Sequence, residues 1–286
     1  MTNPTANEEV AFDHYTLKHR LIAWVSINLF GSLTYTVRHG LLKGMKRKGG
    51  IGWVPEIFYG GGVNAEQQFW ANLNLSGMTV YDVGAFQGLL TLFFASRASK
   101  VICFEPNTQN HKSLSENLRL NAIKNVEVRK VGVGSLCETK TMVSSSLMPG
   151  GASVDGKMVA GLLKSGEGSL VEEISIVTLD VEIPKAGLQP PSFIKIDIEG
   201  LEIEALRGAS ATLALYKPAL FLEMHGETMG EKKRKVAEIV SFLWENNYWS
   251  ILHVESGSAI NPQNSDLAMQ GHLYCRYGAA MPSPTL

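Results

Sequence analysis

Short apolar runs alternate with longer amphipathic stretches from about Met78 to Leu252, the rhythm of strand, turn and helix that builds a doubly wound α/β sheet. Apolar, β-branched runs predict strands at Thr79 to Val83, Val101 to Phe104, Val126 to Val131, Phe193 to Ile198, Ala219 to Met224 and Trp249 to Val254. A further strand, His272 to Tyr277, follows the turn Asn261-Pro262-Gln263-Asn264 and is expected to pair antiparallel at or near an edge. Helices are expected at Gly88 to Ala98, Thr108 to Asn121, Leu201 to Leu215 and Glu231 to Asn247, the second with Asn107 as its N-terminal cap. The Gly- and Ser-rich segment from Ser144 to Gly168 has little periodicity, and so long an irregular stretch suits a lid or substrate loop.

Composition adds limits rather than a function. The 286 residues are 45% hydrophobic with a formal net charge of -1, enough for one large core and no global pull on nucleic acid. Cys103, Cys137 and Cys275 are scattered, without the spacing of a disulfide framework or a structural zinc site, which fits a reducing cytoplasm. Residues 15–50 carry seven Lys or Arg and no acid, around the apolar run from Leu21 to Val37. Residues 1–60 therefore predict a helical cap that packs on the catalytic domain at 61–286, forms a homodimer contact, or lies on a membrane surface. No basic face interleaved with aromatics points to nucleic acid.

The chemistry concentrates in two places. The first is Val80-Tyr81-Asp82-Val83-Gly84-Ala85-Phe86-Gln87-Gly88, followed one helix later by Phe104-Glu105-Pro106. A glycine turn after a strand, with an acid about 20 residues on, is the pattern that cradles a nucleotide and its ribose. Phe86 stands where a dinucleotide site has its middle glycine, and Asp82 would repel a pyrophosphate but attract an ammonium. S-adenosylmethionine, a phosphate-free sulfonium, fits that charge better than NAD. The alternatives are an NAD-dependent oxidoreductase and a non-catalytic, membrane-associated module that keeps the fold.

The second place is Lys195-Ile196-Asp197-Ile198-Glu199-Gly200, with Glu223-Met224-His225 at the end of the next strand. If the two strands are neighbours, their acids and His225 converge at the carboxyl edge beside the cofactor. Methyl transfer to an alcohol needs the acceptor aligned and its proton removed. His225 or Glu199 is a candidate base. A divalent metal on Asp197 and Glu223 is the alternative, though no residue is assigned as a metal ligand on spacing.

Together these residues resemble the FkbM family of S-adenosylmethionine-dependent methyltransferases. The likeness runs from about Leu41 to His225, through Val80 to Ala85, Phe104 to Pro106, Leu120-Asn121, Asn125-Val126 and Ile194 to Gly200 with Glu202. It implies the class I methyltransferase fold, a doubly wound, mostly parallel seven-stranded sheet whose last-placed strand runs antiparallel. It also implies O-methylation of a small hydroxylated acceptor such as a sugar, polyketide or lipid-linked natural product. Carried over, Asp82, Gly84, Gly88 and Glu105 would hold the cofactor, Val131 and Gly132 would lie against the adenine, and Asp197 and Glu199 match the family's acidic pair at the active-site edge. With the rest of the turn, Ala85, Phe86 and Gln87, and with Pro106 and Asp197, these complete the expected cofactor site, and Asp197, Glu199 and His225 are the catalytic candidates. Where the family commonly has Asn, this chain has Phe86.

Overall fold

A computed structural model describes residues 33–48, 64–145, 169–226 and 228–278. Its main sheet is built from β3 (Thr79–Val83), β4 (Lys100–Phe104), β5 (Val126–Arg129), β9 (Phe193–Ile196), β10 (Ala219–Glu223), β11 (Ser250–His253), β12 (Ala259–Ile260) and β13 (His272–Arg276). Their order across the sheet is β12-β11-β13-β10-β9-β3-β4-β5. Pairs β5/β4, β4/β3, β3/β9 and β9/β10 are parallel, whereas β13 runs antiparallel to both β10 and β11. The predicted doubly wound sheet with one reversed strand is therefore present, extended by the short edge strand β12. β13 lies near one edge as expected, third of the eight strands, between β10 and β11. Burial explains this: Leu273 and Cys275 are fully enclosed, and such an apolar strand is better covered between two neighbours.

The helices between these strands are α1 (Ala65–Asn72), α2 (Leu89–Ala95), α3 (Thr108–Leu120), α4 (Leu179–Ala186), α5 (Glu202–Arg207), α6 (Ser210–Tyr216) and α7 (Met229–Glu245). Asn107 caps α3 as expected, its side chain accepting the Asn110 N–H. One sheet face packs on an aromatic cluster of Trp70, Phe93, Phe94, Phe193 and Phe221. The other carries the larger aliphatic cluster, including Ile194, Leu206, Leu222 and Leu243.

The expected single helix from Leu201 to Leu215 is two helices, broken at Gly208. A Cβ there would stand 1.9 Å from the Gly134 carbonyl oxygen, so the loop after β6 (Gly132–Val133) approaches too closely for any side chain. The break leaves α6 needing its own cap, which Asp180 supplies by accepting the Ala211 and Thr212 N–H groups.

A second, three-stranded sheet of order β6-β8-β7 joins β6 to β7 (Glu138–Ser145) and β8 (Ser169–Val177). The segment read as a lid, Ser144 to Gly168, lies outside the described residues apart from Ser144 and Ser145 at the end of β7. At the N-terminus, residues 33–48 form a hairpin of β1 (Thr34–Thr36) and β2 (Lys46–Lys48), not a helix. Thr-Tyr-Thr favours a strand, and glycines at positive φ, Gly40 and Gly44, turn the chain between the strands. The hairpin docks on α3: Asn121 Oδ1 accepts the Lys46 N–H, and Asn117 Oδ1 accepts the Lys48 N–H. Asn117 also donates to the Gln87 carbonyl, tying the hairpin's anchor to the glycine turn. The rest of the predicted cap, including 21–32, is outside the described residues. Among the described residues no helix is long and apolar enough to cross a membrane.

Replacing Gly208 with alanine should destabilise the fold by roughly 1–3 kcal/mol, as overpacking does. A denaturant midpoint equal to that of the parent would contradict this close approach.

Candidate active site

Strand order creates the site. β3 sits where the chain's crossovers reverse direction, with β4 on one side and β9 on the other, and ligands of such sheets bind in the crevice beyond the carboxyl ends there. A cavity of about 330 Å³ opens at that point. Its polar walls are Gly84, Glu105, Asn110, Asp197 and Glu199. Phe86, Pro106, Val133, Met142, Ile174 and Ile176 supply the apolar ones.

The turn under the cavity is held first by backbone hydrogen bonds. Gly84 and Ala85 N–H both donate to the Phe104 carbonyl at 3.1 Å, and Gly84 takes φ +79°. A Cβ on Gly84 would fall 1.8 Å from the Asp197 carbonyl oxygen, so glycine is required both by the turn and by the closeness of β9. Phe86 follows at φ 51°, a conformation that asparagine tolerates better. Its N–H donates to Glu105 Oε2 at 2.8 Å, while Glu105 Oε1 accepts the Asn107 N–H at 2.9 Å. A carboxylate can accept about four hydrogen bonds, and the Asn110 side chain takes a third, so one position stays open toward the cavity. Burial pushes the Glu105 carboxyl up to about 7, against the pull of those two N–H groups.

Beneath the turn lies a buried charge cluster. β3 and β9 are in register with Asp82 opposite Lys195. The Lys195 ammonium, on a side chain 5% exposed, stands 3.5 Å from Asp82 Oδ1 and 3.2 Å from Asp197 Oδ2, and donates to the Gly84 carbonyl at 2.9 Å. Burial alone would lower the Lys195 pKa, but Asp197 and Asp82 outweigh it and raise it. Burial would likewise raise Asp197, yet Lys195 and then His225 hold it below the usual carboxylate range.

At the end of β10, His225 is set among four acids. Its Nδ1 lies 2.9 Å from Glu202 Oε1, and its Nε2 lies 3.6–3.7 Å from oxygens of Asp197, Glu199 and Glu223. Burial would lower its pKa, but the Glu202 hydrogen bond, together with Glu202, Glu199 and Asp197 charge, raises it to about 9. Glu199 lines the cavity at φ 55°, with its pKa raised by burial.

Of the predicted residues, Gly84, Phe86, Glu105, Pro106, Gly132, Asp197 and Glu199 line the cavity. Asp82 does not. It is fully buried, accepts a 2.5 Å hydrogen bond from Thr91, and faces Lys195, so it shapes the turn from below and does not meet a cofactor ammonium. Ala85 and Gly88 pack inward, Gly88 against Leu114, while Gln87 offers its carbonyl to Asn117 and Val131 lies against the aliphatic core. His225 stands behind Asp197 and Glu199 and, holding its proton at neutral pH, is not placed as a base. Sequence reasoning missed the apolar wall of Met142, Ile174 and Ile176, and also Glu202. The alternation of Ile174 and Ile176 was the available signal for the wall. Glu202, 1% exposed and accepting the Gly200 N–H, had no signal beyond the family likeness.

A nucleotide-sized crevice at the switch point of this strand order, with the reversed strand β13 inserted between β10 and β11, defines a class I methyltransferase fold. The methyltransferase FkbM domain model matches residues 82–249, and the chain belongs to that family. Among characterised sequences it is similar to Methyltransferase 1 of Beauveria bassiana (strain ARSEF 2860), 24% identical over 144 residues, covering 45% of this chain and 57% of that protein. It is also similar to methyltransferase sdnD of Sordaria araneosa, 28% identical over 153 residues, covering 45% and 59%. The chain thus spans little more than half the length of these relatives. Among solved structures, methyltransferase FkbM from Methylobacillus flagellatus KT aligns with a TM-score of 0.45 at 20% identity, over 70% of this chain and 43% of that one. A candidate methyltransferase of Streptococcus mutans in complex with SAH aligns with a TM-score of 0.41 at 14% identity, over 73% and 93%.

Removing the Lys195 charge should be costly. Lys195→Met strands Asp82 and Asp197 without their cation and is expected to lower stability by about 3–5 kcal/mol. Adding Asp82→Asn to it should recover part of that loss in a denaturation series. No recovery would mean that the two side chains do not interact.

Proposed function

We propose that this chain is an S-adenosylmethionine-dependent methyltransferase acting on a hydroxyl of a small molecule. The observation that carries the reading is the Glu105 carboxylate, fixed by two backbone N–H groups on one wall of a cavity whose opposite wall is apolar. The ribose hydroxyls would take the open acceptor position on Glu105 and displace the Asn110 amide from another. Pro106, Gly132, Met142, Ile174 and Ile176 offer a flat apolar slot for the adenine. The open glycine turn leaves room for the amino-acid portion, and the acidic edge at Asp197 and Glu199 favours a cofactor that carries positive charge.

Methyl transfer needs no covalent enzyme intermediate. The acceptor oxygen attacks the methyl carbon in line with the carbon–sulfur bond, an O–C bond forms, and the electron pair of the broken C–S bond returns to sulfur. The hydroxyl proton needs a carboxylate on the cavity wall, and Glu199, made more basic by burial, stands there. The sulfonium loses its positive charge as the C–S pair returns to sulfur, so its attraction to the fixed carboxylates favours the bound cofactor over the transition state, and catalysis here rests chiefly on alignment.

Calorimetry with S-adenosylhomocysteine tests the cofactor half. Glu105→Ala should weaken binding at least tenfold, the order of a lost pair of charge-assisted hydrogen bonds at about 1.5–3 kcal/mol. Because ribose hydroxyls donate to the ionised carboxylate, wild-type affinity should rise as pH increases through about 7. Unchanged affinity in the variant, or a flat pH profile, would remove Glu105 from the site. For the chemical half, Glu199→Gln should lower the turnover number at saturating acceptor and cofactor by about 10²–10⁴-fold, with little change in affinity for S-adenosylhomocysteine, which lacks the sulfonium charge. Full turnover in that variant would move the proton elsewhere.

A further inference from the structure

Beyond the carboxyl ends of β9 and β10, Asp197, Glu223 and His225 each offer a ligand atom, all within 4.8 Å of one another. His225 Nε2 is 3.7 Å from Asp197 Oδ1 and 3.6 Å from Glu223 Oε1. These gaps are too long for hydrogen bonds, which close to about 2.7–3.2 Å. They fit donors that share one ion: with metal–ligand distances of about 2.1 Å, neighbouring donors stand roughly 3.0–3.6 Å apart.

For Asp197 and His225 the other candidate ligand atom is already engaged elsewhere, and for Glu223 it faces away from the gap. Asp197 Oδ2 is held by Lys195 at 3.2 Å, which leaves Oδ1 toward the gap. Glu223 Oε2 faces His272 Nε2 at 3.8 Å, which leaves Oε1. His225 Nδ1 is bound to Glu202 Oε1 at 2.9 Å, which leaves Nε2. The Glu202 contact is a separate observation. Glu202 is 1% exposed, begins α5 rather than either strand end, and also holds the Gly200 N–H at 2.9 Å, so the ring cannot turn to offer Nδ1 instead. A carboxylate behind an imidazole is how proteins fix the tautomer and aim of a ligating histidine. All three ligands are partly exposed, which keeps the gap open to solvent ions.

We propose that Asp197 Oδ1, Glu223 Oε1 and His225 Nε2 bind one divalent cation of mixed oxygen and nitrogen preference, of the Mn²⁺ or Zn²⁺ kind, beside the methyl-transfer cleft. Binding releases the imidazole proton to solvent. The cation's role rests on the methyltransferase reading: an open coordination position takes the acceptor hydroxyl oxygen, lowers its pKa and orients it, while Glu199 accepts the proton. The site itself stands on geometry and is tested without the cofactor.

The full chain, freed of metal with a chelator, is titrated with MnCl₂ while the free-ion paramagnetic resonance signal is followed. One Mn²⁺ per chain is expected, with a nitrogen modulation from a single imidazole in the pulsed spectrum. Glu223→Gln and His225→Gln should each weaken binding at least tenfold, and Glu202→Gln, which loosens the ring, should weaken it by about 10–100-fold. Glu238→Gln, on the exposed side of α7, should leave it unchanged. Fewer than one-tenth of an ion per chain with either Mn²⁺ or Zn²⁺, a pulsed spectrum without imidazole nitrogen, or equal affinity in the two ligand variants would overturn the site. The pulsed spectrum needs only wild-type protein, so a variant that fails to fold does not shelter the proposal. Wild-type protein that binds Mn²⁺ but not S-adenosylhomocysteine would keep this site and sink the methyltransferase reading. The converse result would keep the methyltransferase reading and sink the site.

Discussion

The close approach of Gly84 to the Asp197 backbone, locked by the buried Lys195 ammonium, is the constraint on which the site depends. One cation ties the floor of the glycine turn to the end of the neighbouring strand, through Asp82, Asp197 and the Gly84 carbonyl. A buried ion pair is seldom a net source of stability, because desolvation offsets most of the attraction. Its value here is geometric. It fixes the relative height of two strand ends, and with them the distance between the Glu105 carboxylate and the acidic edge at Asp197.

From that fixed pair the chemistry follows by position. β4 brings Glu105 beside the turn, and two backbone N–H groups hold its carboxylate in one orientation. The small β6-β8-β7 sheet closes the apolar side, with Met142, Ile174 and Ile176. β10, on the far side of β9, brings Glu223 and His225 to the same edge, and Glu202 holds the His225 ring from behind. Each charged group therefore has one face anchored in the scaffold and one face turned toward the crevice or its rim. Such preorganisation is what a displacement reaction requires, since nothing in it rewards a flexible catalyst.

The sheet was largely legible in the sequence because its parallel strands are buried on both faces and read as unbroken apolar runs. Thr79 to Val83 and Phe193 to Ile196 are clear for that reason. Elements whose signals conflict were not legible. α4 has only eight residues and contains Pro184, which argues against a helix. β8 alternates only partly, with Leu170 and Val171 exposed beside buried Ile174 and Ile176. The break at Gly208 depends on a loop 74 positions earlier in the chain, a distance that no local pattern reports. In the site, chemistry-bearing residues were found but their aims were not. Asp82 pointed down rather than up, because Lys195 lies opposite it in the next strand, and His225 stood proton-loaded behind the wall because four acids surround it.

The most direct test of the account is a crystal structure of the chain grown with S-adenosylhomocysteine. Density for the nucleoside should fill the crevice, with both ribose hydroxyls within hydrogen-bond distance of Glu105, the adenine between Pro106 and the Ile174–Ile176 wall, and the sulfur turned toward Asp197 and Glu199. A nucleoside bound elsewhere, or one whose ribose leaves Glu105 untouched, would contradict it.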